Sequence, residues 1–268
     1  MPITEITSRQ NPRVKQSVRL QERRGRLAAG AFLVEGGLEL VRALEARLTC
    51  LECWQCHEYP GYDDMLAAAL ADAAAENFLV PKPVLEKLAS RENPDGIVCV
   101  FAMPELSAET VKLQEKPLVV VTEGVEKPGN LGAIIRSAEV AGADAILIAG
   151  EGADLYNPHV IRNSRGLVFQ LPVISLPQDE ALAWLKARGL SLLATTPAAT
   201  LPHWQVDLAA PSALLLGSEA EGLSEFWLNE ADTCIQIPLQ GSGDSLNVSV
   251  SAAVVLFEAV RQRKQDKA

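Results

Sequence analysis

The 268-residue sequence contains no apolar run of the ~18 residues needed to cross a bilayer, so no membrane-spanning helix is expected. Its first residues, MPITEITSRQNPRVKQ, lack the apolar stretch of a secretory signal, and none is expected there. Cysteines number five, an odd count that, without such a signal, points to reduced thiols in a cytoplasmic protein rather than a disulfide framework. Internal repeats and low-complexity segments are missing, and histidines are only three, His57, His159 and His203. What is abundant is apolar: 48% of residues are hydrophobic against 22% charged, so the chain can bury a real core and need not be disordered. The length suits two modest domains or one large α/β domain.

Positive charge is also scarce, with a net charge of −10. That balance opposes a polyanionic partner, which requires local positive potential. Its distribution matters more than its sum. Residues 1–26 carry Arg9, Arg13, Lys15, Arg19, Arg23, Arg24 and Arg26 against only Glu5 and Glu22, and all the surplus positive charge lies in this arm. A solvated helix face would look the same.

Two halves separate at the polar stretch 104–116, PELSAETVKLQEK. In the first, residues 8–28 have helical composition. Strands are expected at 31–36, 48–56, 78–80 and 97–101, and helices at 37–48, 63–76 and 83–90, which makes a small α/β domain. In the second, strands are expected at 118–124, 145–150, 171–176, 190–196, 213–219 and 234–239. Helices are expected at 130–141, 181–189 and 246–263. Continuous apolar runs such as LVVV and LLLG are characteristic of parallel strands covered on both faces. Ligands of such sheets sit beyond the carboxyl ends of the strands, where TTP, GSEAEG and PLQGSGDSLN fall.

Three of these strand exits carry candidate chemistry. In EGVEKPGNLGAIIRSAEVAGA (123–143), Gly129 and Gly132 permit tight backbone, Asn130 suits a helix cap, and Arg136 follows on the helix. A lone helical arginine is ordinarily a solvated surface residue. In LLLGSEAEGLS (214–224), Gly217 would let a ligand approach the strand end and Glu219 projects a carboxylate. In IPLQGSGDSLNVSVSAAVVLFEAV (237–260), Ser245 and Asn247 open a helix whose free N–H groups favour a polar or anionic ligand.

Taken in order, PGNLGAIIRSAE, LGSEAEGLS and IPLQGSGDSLNVSVSAA resemble the three signature motifs of the SpoU (TrmH-like) RNA methyltransferases of the SPOUT superfamily. LYNPHVIRNSRGLVFQLPV (155–173) is similar to the block between the first two, with Asn157, Pro158, Arg162, Ser164 and Gly166 in step. More loosely, ITSRQNPRVKQ, GAFLVEGGLELVRAL and NPDGIVCVF resemble a substrate-binding domain often fused in front. Two departures are Lys127, where the family often has an acid, and Asn163, where a small residue is common. Neither falls on a matched functional position.

The resemblance implies an α/β protein with an RNA substrate-binding domain at 1–103, a linker at 104–116 and a parallel-sheet SPOUT methyltransferase domain at 117–268. The front domain would have a ribosomal-protein L30e-like fold. The second would carry a deep trefoil knot, which general connection rules disfavour. The implied cofactor is S-adenosylmethionine, held by Thr195, Thr196, Gly217, Ile237, Leu239, Leu246 and Asn247, with no metal. Arg136, Asn130, Glu219, Ser245 and Asn247 would form the catalytic set, and Arg9, Arg13, Lys15, Arg23, Arg24 and Arg26 the RNA contacts. A homodimer through the knot helices is the usual assembly.

The implied reaction moves a methyl group to a ribose 2′-hydroxyl. That hydroxyl is a poor nucleophile until its proton is removed or strongly hydrogen-bonded. None of the three histidines lies in the motifs. A guanidinium stays protonated at any working pH, so Arg136 is expected to fix the target phosphate and polarise the hydroxyl, with the phosphate sharing the proton. A fused front domain and the basic arm favour large-subunit (23S-type) ribosomal RNA over tRNA as substrate. A non-catalytic RNA-binding protein that retains the fold is the other alternative.

Two further motifs are weak. GDSL at 243–246 matches the nucleophile block of some ester hydrolases, yet no histidine follows Ser245 to activate it. A Rossmann dehydrogenase would need G-x-G-x-x-G after its first strand, which the chain lacks. Cys50, Cys53, Cys56 and His57 have a haem- or zinc-like spacing, but on a strand Cys53 would face away from Cys50 and Cys56, so core thiols are expected.

Overall fold

Asn11 starts the first helix, its Oδ1 accepting the Arg13 N–H at 2.8 Å. The computed structural model describes residues 2–150 and 154–265, and their contacts divide the chain into two units. The first comprises residues 1–105 and 154–170. It contains β1 (Ile3–Glu5), α1 (Pro12–Val18), α2 (Arg23–Ala29), β2 (Ala31–Glu35), α3 (Gly37–Glu45), β3 (Cys50–Gln55), α4 (Asp64–Ala73), β4 (Glu76–Leu79), α5 (Lys82–Leu88), β5 (Ile97–Ala102) and, from its second segment, α7 (Pro158–Asn163).

The five strands form one mixed sheet in the order β1-β4-β3-β5-β2, with β5 antiparallel to both neighbours. One core packs Leu33, Trp54, Phe78, Val98 and Val100 under Val14, Leu20 and Leu85. The helix expected over 8–28 is divided, because Glu22 is extended at φ −100°, ψ 143°. Gly25 then permits close packing: a Cβ there would meet the Arg19 carbonyl oxygen at 1.9 Å. Residues 154–170 complete this unit, Tyr156 stacking on Phe32 with ring centroids 4.5 Å apart.

Cys50, Cys53 and Cys56 are buried free thiols, while His57 is exposed. Cys53 lies opposite Cys99 across the β3–β5 pair.

The second unit comprises residues 106–153 and 171–268. Its elements are β6 (Leu118–Glu123), α6 (Pro128–Val140), β7 (Ala145–Ala149), β8 (Val173–Leu176), α8 (Gln178–Lys186), β9 (Ser191–Thr195), β10 (Leu201–Pro202), β11 (Ser212–Leu216), α9 (Glu225–Glu230), β12 (Thr233–Gln236) and α10 (Val248–Gln265). Seven strands form an all-parallel sheet in the order β10-β12-β9-β11-β6-β7-β8, the parallel α/β architecture expected from the apolar runs. Val119, Val121, Leu147, Leu192, Leu215 and Trp227 are among the buried residues of its core.

Helix α10 packs on α6. Arg263 anchors its far end, donating to the carbonyls of Leu208 (3.0 Å), Pro117 (3.1 Å), Ala210 (3.2 Å) and Lys116. Elements not foreseen are short: β1, β10, α7 and α9, the last only six residues long.

Candidate active site

The carboxyl ends of β9, β11 and β12 open into a cavity of about 430 Å³. Thr195 ends β9, Gly217 follows β11, and Ile237 follows β12, so the parallel sheet delivers all three to one place. Thr196, Leu239, Ser245 and Leu246 line the same cavity. Leu239 and Leu246 form an exposed apolar lip, and the buried Thr195 Oγ1 has no hydrogen-bond partner among the described residues. An apolar rim with a free hydroxyl inside suits a ligand with a flat apolar part and polar edges.

Gly217 is required for a reason different from close approach of a ligand. A Cβ there would meet the Gly222 carbonyl carbon at 2.0 Å, because the chain doubles back through the Ser218–Gly222 bridge. The glycine admits the protein's own backbone, and that turn forms part of the cavity wall.

Beside this cavity the three candidate segments meet through side chains. Asn247 Nδ2 donates to Glu219 Oε1 at 2.7 Å and to Asn130 Oδ1 at 3.2 Å. Asn130 Nδ2 also donates to Glu219 Oε1, and Lys127 Nζ pairs with Glu219 Oε2. The Lys127 contact lowers the Glu219 carboxyl from its ordinary value, outweighing the opposing effect of burial, and the Asn130 hydrogen bond lowers it further. The side chain thus carries a fixed negative charge facing two carboxamides.

Two residues here depart from expectation. Asn130 does not cap α6: the helix begins at Pro128 after Lys127, leaving the Asn130 side chain free to reach Glu219. Lys127, which stood outside every matched functional position, touches Glu219 directly. Proline at the first helical position explains the shift, since it needs no N–H partner there. Asn247 does cap α10, its Oδ1 accepting the Ser249 N–H at 3.0 Å.

Arg136 is not drawn into this cluster. It is exposed and makes no hydrogen bond or ion pair among the described residues. Six residues separate it from Asn130, which places it about 120° away around the helix. Ser245 lines the cavity without joining the Glu219 cluster.

The basic arm is only partly available to a partner. Arg9, Lys15, Arg23 and Arg24 are exposed. Arg13 is turned inward, pairing with Glu52 at 2.7 Å and with Glu76. Arg26 must be withdrawn from the expected RNA contacts, because it is 1% exposed. Its guanidinium donates to the carbonyls of Leu20 (2.7 Å) and Gln21 (2.8 Å) and pairs with Asp154. A buried arginine needs such partners, and nothing in local sequence marks Asp154 as one of them. Arg26 serves the interior of the first unit.

Comparison with known proteins gives this geometry a setting. Residues 117–257 match the model of the SpoU rRNA Methylase family, and residues 11–99 match that of an MRM3-like substrate binding domain. The 23S rRNA (uridine(2479)-2′-O)-methyltransferase of Streptomyces viridochromogenes is 34% identical, over 96% of this chain and 92% of its own. A solved RNA 2′-O ribose methyltransferase is 44% identical, with a TM-score of 0.85 over 97% of this chain and 100% of its own. A solved AdoMet-bound rRNA methyltransferase from Sinorhizobium meliloti is 31% identical, with a TM-score of 0.88 over 97% of this chain and 98% of its own.

Proposed function

The chain belongs to the SpoU rRNA methylase family, and we propose that it is an S-adenosylmethionine-dependent methyltransferase that modifies a ribose 2′-hydroxyl in large-subunit ribosomal RNA. The observation that carries this reading is the convergence of three separate chain segments. Asn130, Glu219 and Asn247 form one hydrogen-bonded cluster beside a cavity at the carboxyl ends of a parallel sheet.

The residues fit the cofactor. The free Thr195 hydroxyl and the apolar rim of Leu239 and Leu246 suit an adenosine, with Thr196, Gly217 and Ile237 completing its surroundings. Asn247, expected among the cofactor contacts, is not in the cavity wall and belongs instead to the adjoining Glu219 cluster. When bound, S-adenosylmethionine supplies an electrophilic methyl group for in-line displacement by oxygen. The protein's part is then orientation, which can account for much of such a rate. Glu219, Asn130 and Asn247 hold the ribose at a fixed, charged edge, and Ser245 contacts reactants from the cavity side. Arg136 binds the phosphate of the target nucleotide and polarises the 2′-hydroxyl, while that phosphate shares the proton. Its exposed, unpaired guanidinium supports this role.

In the same reading residues 1–103 bind the RNA through an L30e-like domain, 104–116 link, and 117–268 transfer the methyl group, with residues 154–170 contributing to the first unit. Exposed Arg9, Lys15, Arg23 and Arg24 contact phosphates. A trefoil knot in residues 117–268 is supported by the match of residues 117–257 to the SpoU family. A homodimer is supported by exposed Val250 and Phe257 on one face of α10 and exposed Val140 on α6. Work in the cytoplasm follows from the ribosomal substrate. No helix among the described residues is long and apolar enough to cross a membrane.

Calorimetric titration with S-adenosylmethionine, followed by methyl transfer to unmodified large-subunit rRNA and to tRNA transcripts, tests the reading. Saturable cofactor binding and transfer to the ribosomal transcript are expected. No binding at millimolar cofactor would favour a non-catalytic RNA-binding protein, and preference for tRNA would favour the other substrate. Arg136→Ala retaining near-normal turnover would defeat the role given to that residue.

A further inference from the structure

Lys127 precedes α6, and its side chain makes no capping bond there. Its side chain crosses instead to Glu219, pairing Nζ with Oε2. The second carboxylate oxygen, Oε1, accepts both Asn130 Nδ2 and Asn247 Nδ2. A carboxylate is planar, so fixing one oxygen limits where the other can point. The lysine therefore sets the direction of the oxygen that the two carboxamides share.

The surroundings make that contact matter. A second cavity, of about 380 Å³, lies on this side of Glu219, and its wall includes Glu126, Lys127, Asn130, Glu219 and Glu221. Three carboxylates face it, and Lys127 is its only cation among the described residues. Neither Glu126 nor Glu221 has an ion-pair partner among those residues, so without Lys127 the Glu219 charge would stand uncompensated beside two like charges. Stability is a poor reason for the pair. The lysine side chain is 74% exposed, and ion pairs of that exposure contribute little to folding.

We propose that Lys127 is a positioning residue for methyl transfer, acting through Glu219 to hold its carboxylate against Asn130 and Asn247 and to balance the negative charge of the cavity wall. The proposal rests on the methyltransferase reading above.

The test compares Lys127→Met, Lys127→Arg, Glu219→Gln and the Lys127→Met/Glu219→Gln double variant. It uses S-adenosylmethionine with a labelled methyl group and unmodified large-subunit rRNA transcript. Lys127→Met is expected to lower kcat by about tenfold, within the range that coupled neighbours show. Its S-adenosylmethionine Kd should stay within about twofold by calorimetry, and Lys127→Arg should recover most of the turnover. In the Glu219→Gln background the methionine substitution should cost less than about twofold more. Independent, multiplying losses would overturn the proposal, as would failure of the arginine variant to recover turnover. A crystal structure of Lys127→Met reads the geometry without turnover: the Glu219 carboxylate should leave Asn247, and an unmoved carboxylate would refute the inference. An inactive parent enzyme would count against the methyltransferase reading, and that crystal structure would still decide the positioning.

Discussion

Asn247 faces two ways: its Oδ1 caps α10 through the Ser249 N–H at 3.0 Å, while its Nδ2 donates to Glu219 at 2.7 Å. One side chain thus joins the start of the closing helix to the candidate catalytic cluster.

These two duties can be separated by substitution. Asn247→Ala removes both and should cost about 1 kcal/mol of stability as a missing cap, together with most turnover. Asn247→Ser keeps a capping oxygen but has no amide to reach Glu219, so it should restore stability and not turnover. Urea unfolding and steady-state methylation of both variants check this. Equal recovery of both properties in the serine variant would contradict the division of roles.

The basic arm should split along the line between buried and exposed residues. Arg26→Ala leaves Asp154 facing an interior without its cation, and a loss of about 3–5 kcal/mol is expected in denaturant unfolding. Arg23→Ala and Arg24→Ala alter exposed side chains and should change stability by less than about 0.5 kcal/mol. Together they should weaken RNA binding and reduce its salt dependence, by a slope of roughly one for each phosphate no longer neutralised. Filter binding across a salt series would show it. An unchanged slope would remove this face from the RNA surface.

Acid stability provides a prediction outside the site. Glu258 accepts from Arg261 Nε at 2.8 Å and from Gln262 Nε2 at 2.9 Å, and these contacts, the arginine's first, hold its carboxyl down at about 2. A carboxyl lowered on folding stabilises the native state above its unfolded pKa, near 4.5, and loses that contribution as pH falls toward about 2. Glu258→Gln should therefore lower the Tm at pH 7, and the gap to the parent should narrow from about pH 4.5 downward. A gap that is constant down to pH 3 would contradict the assignment.

Much of the fold was legible because buried parallel strands announce themselves as unbroken apolar runs, as in Leu118–Val121 and Leu214–Leu216. Motif order singled out Thr195, Gly217 and Ile237, and the parallel sheet brings these three to one cavity. What remained hidden depended on partners far away along the chain. Arg26 has the look of a surface cation, and only the fold brings Asp154, 128 residues on, to pair with it. Gly217 has the look of a ligand-facing glycine, whereas the returning Gly222 backbone is what excludes a Cβ. Lys127 could be compared only with a family pattern; its contact with Glu219, 92 residues away, is a fact of tertiary structure. Local periodicity cannot report such pairs.

Mapping ribose methylation in large-subunit rRNA tests the central claim most directly. RNA from a strain lacking this gene, and from a strain carrying Arg136→Ala, should lack one 2′-O-methylated nucleotide that the parent carries, detected by mass spectrometry of nuclease fragments. Addition of the purified enzyme and S-adenosylmethionine to the unmethylated RNA should restore the mark on the 2′-oxygen of that nucleotide. Full 2′-O-methylation of the large-subunit rRNA in the deletion strain, or a product methylated on a base, would contradict it.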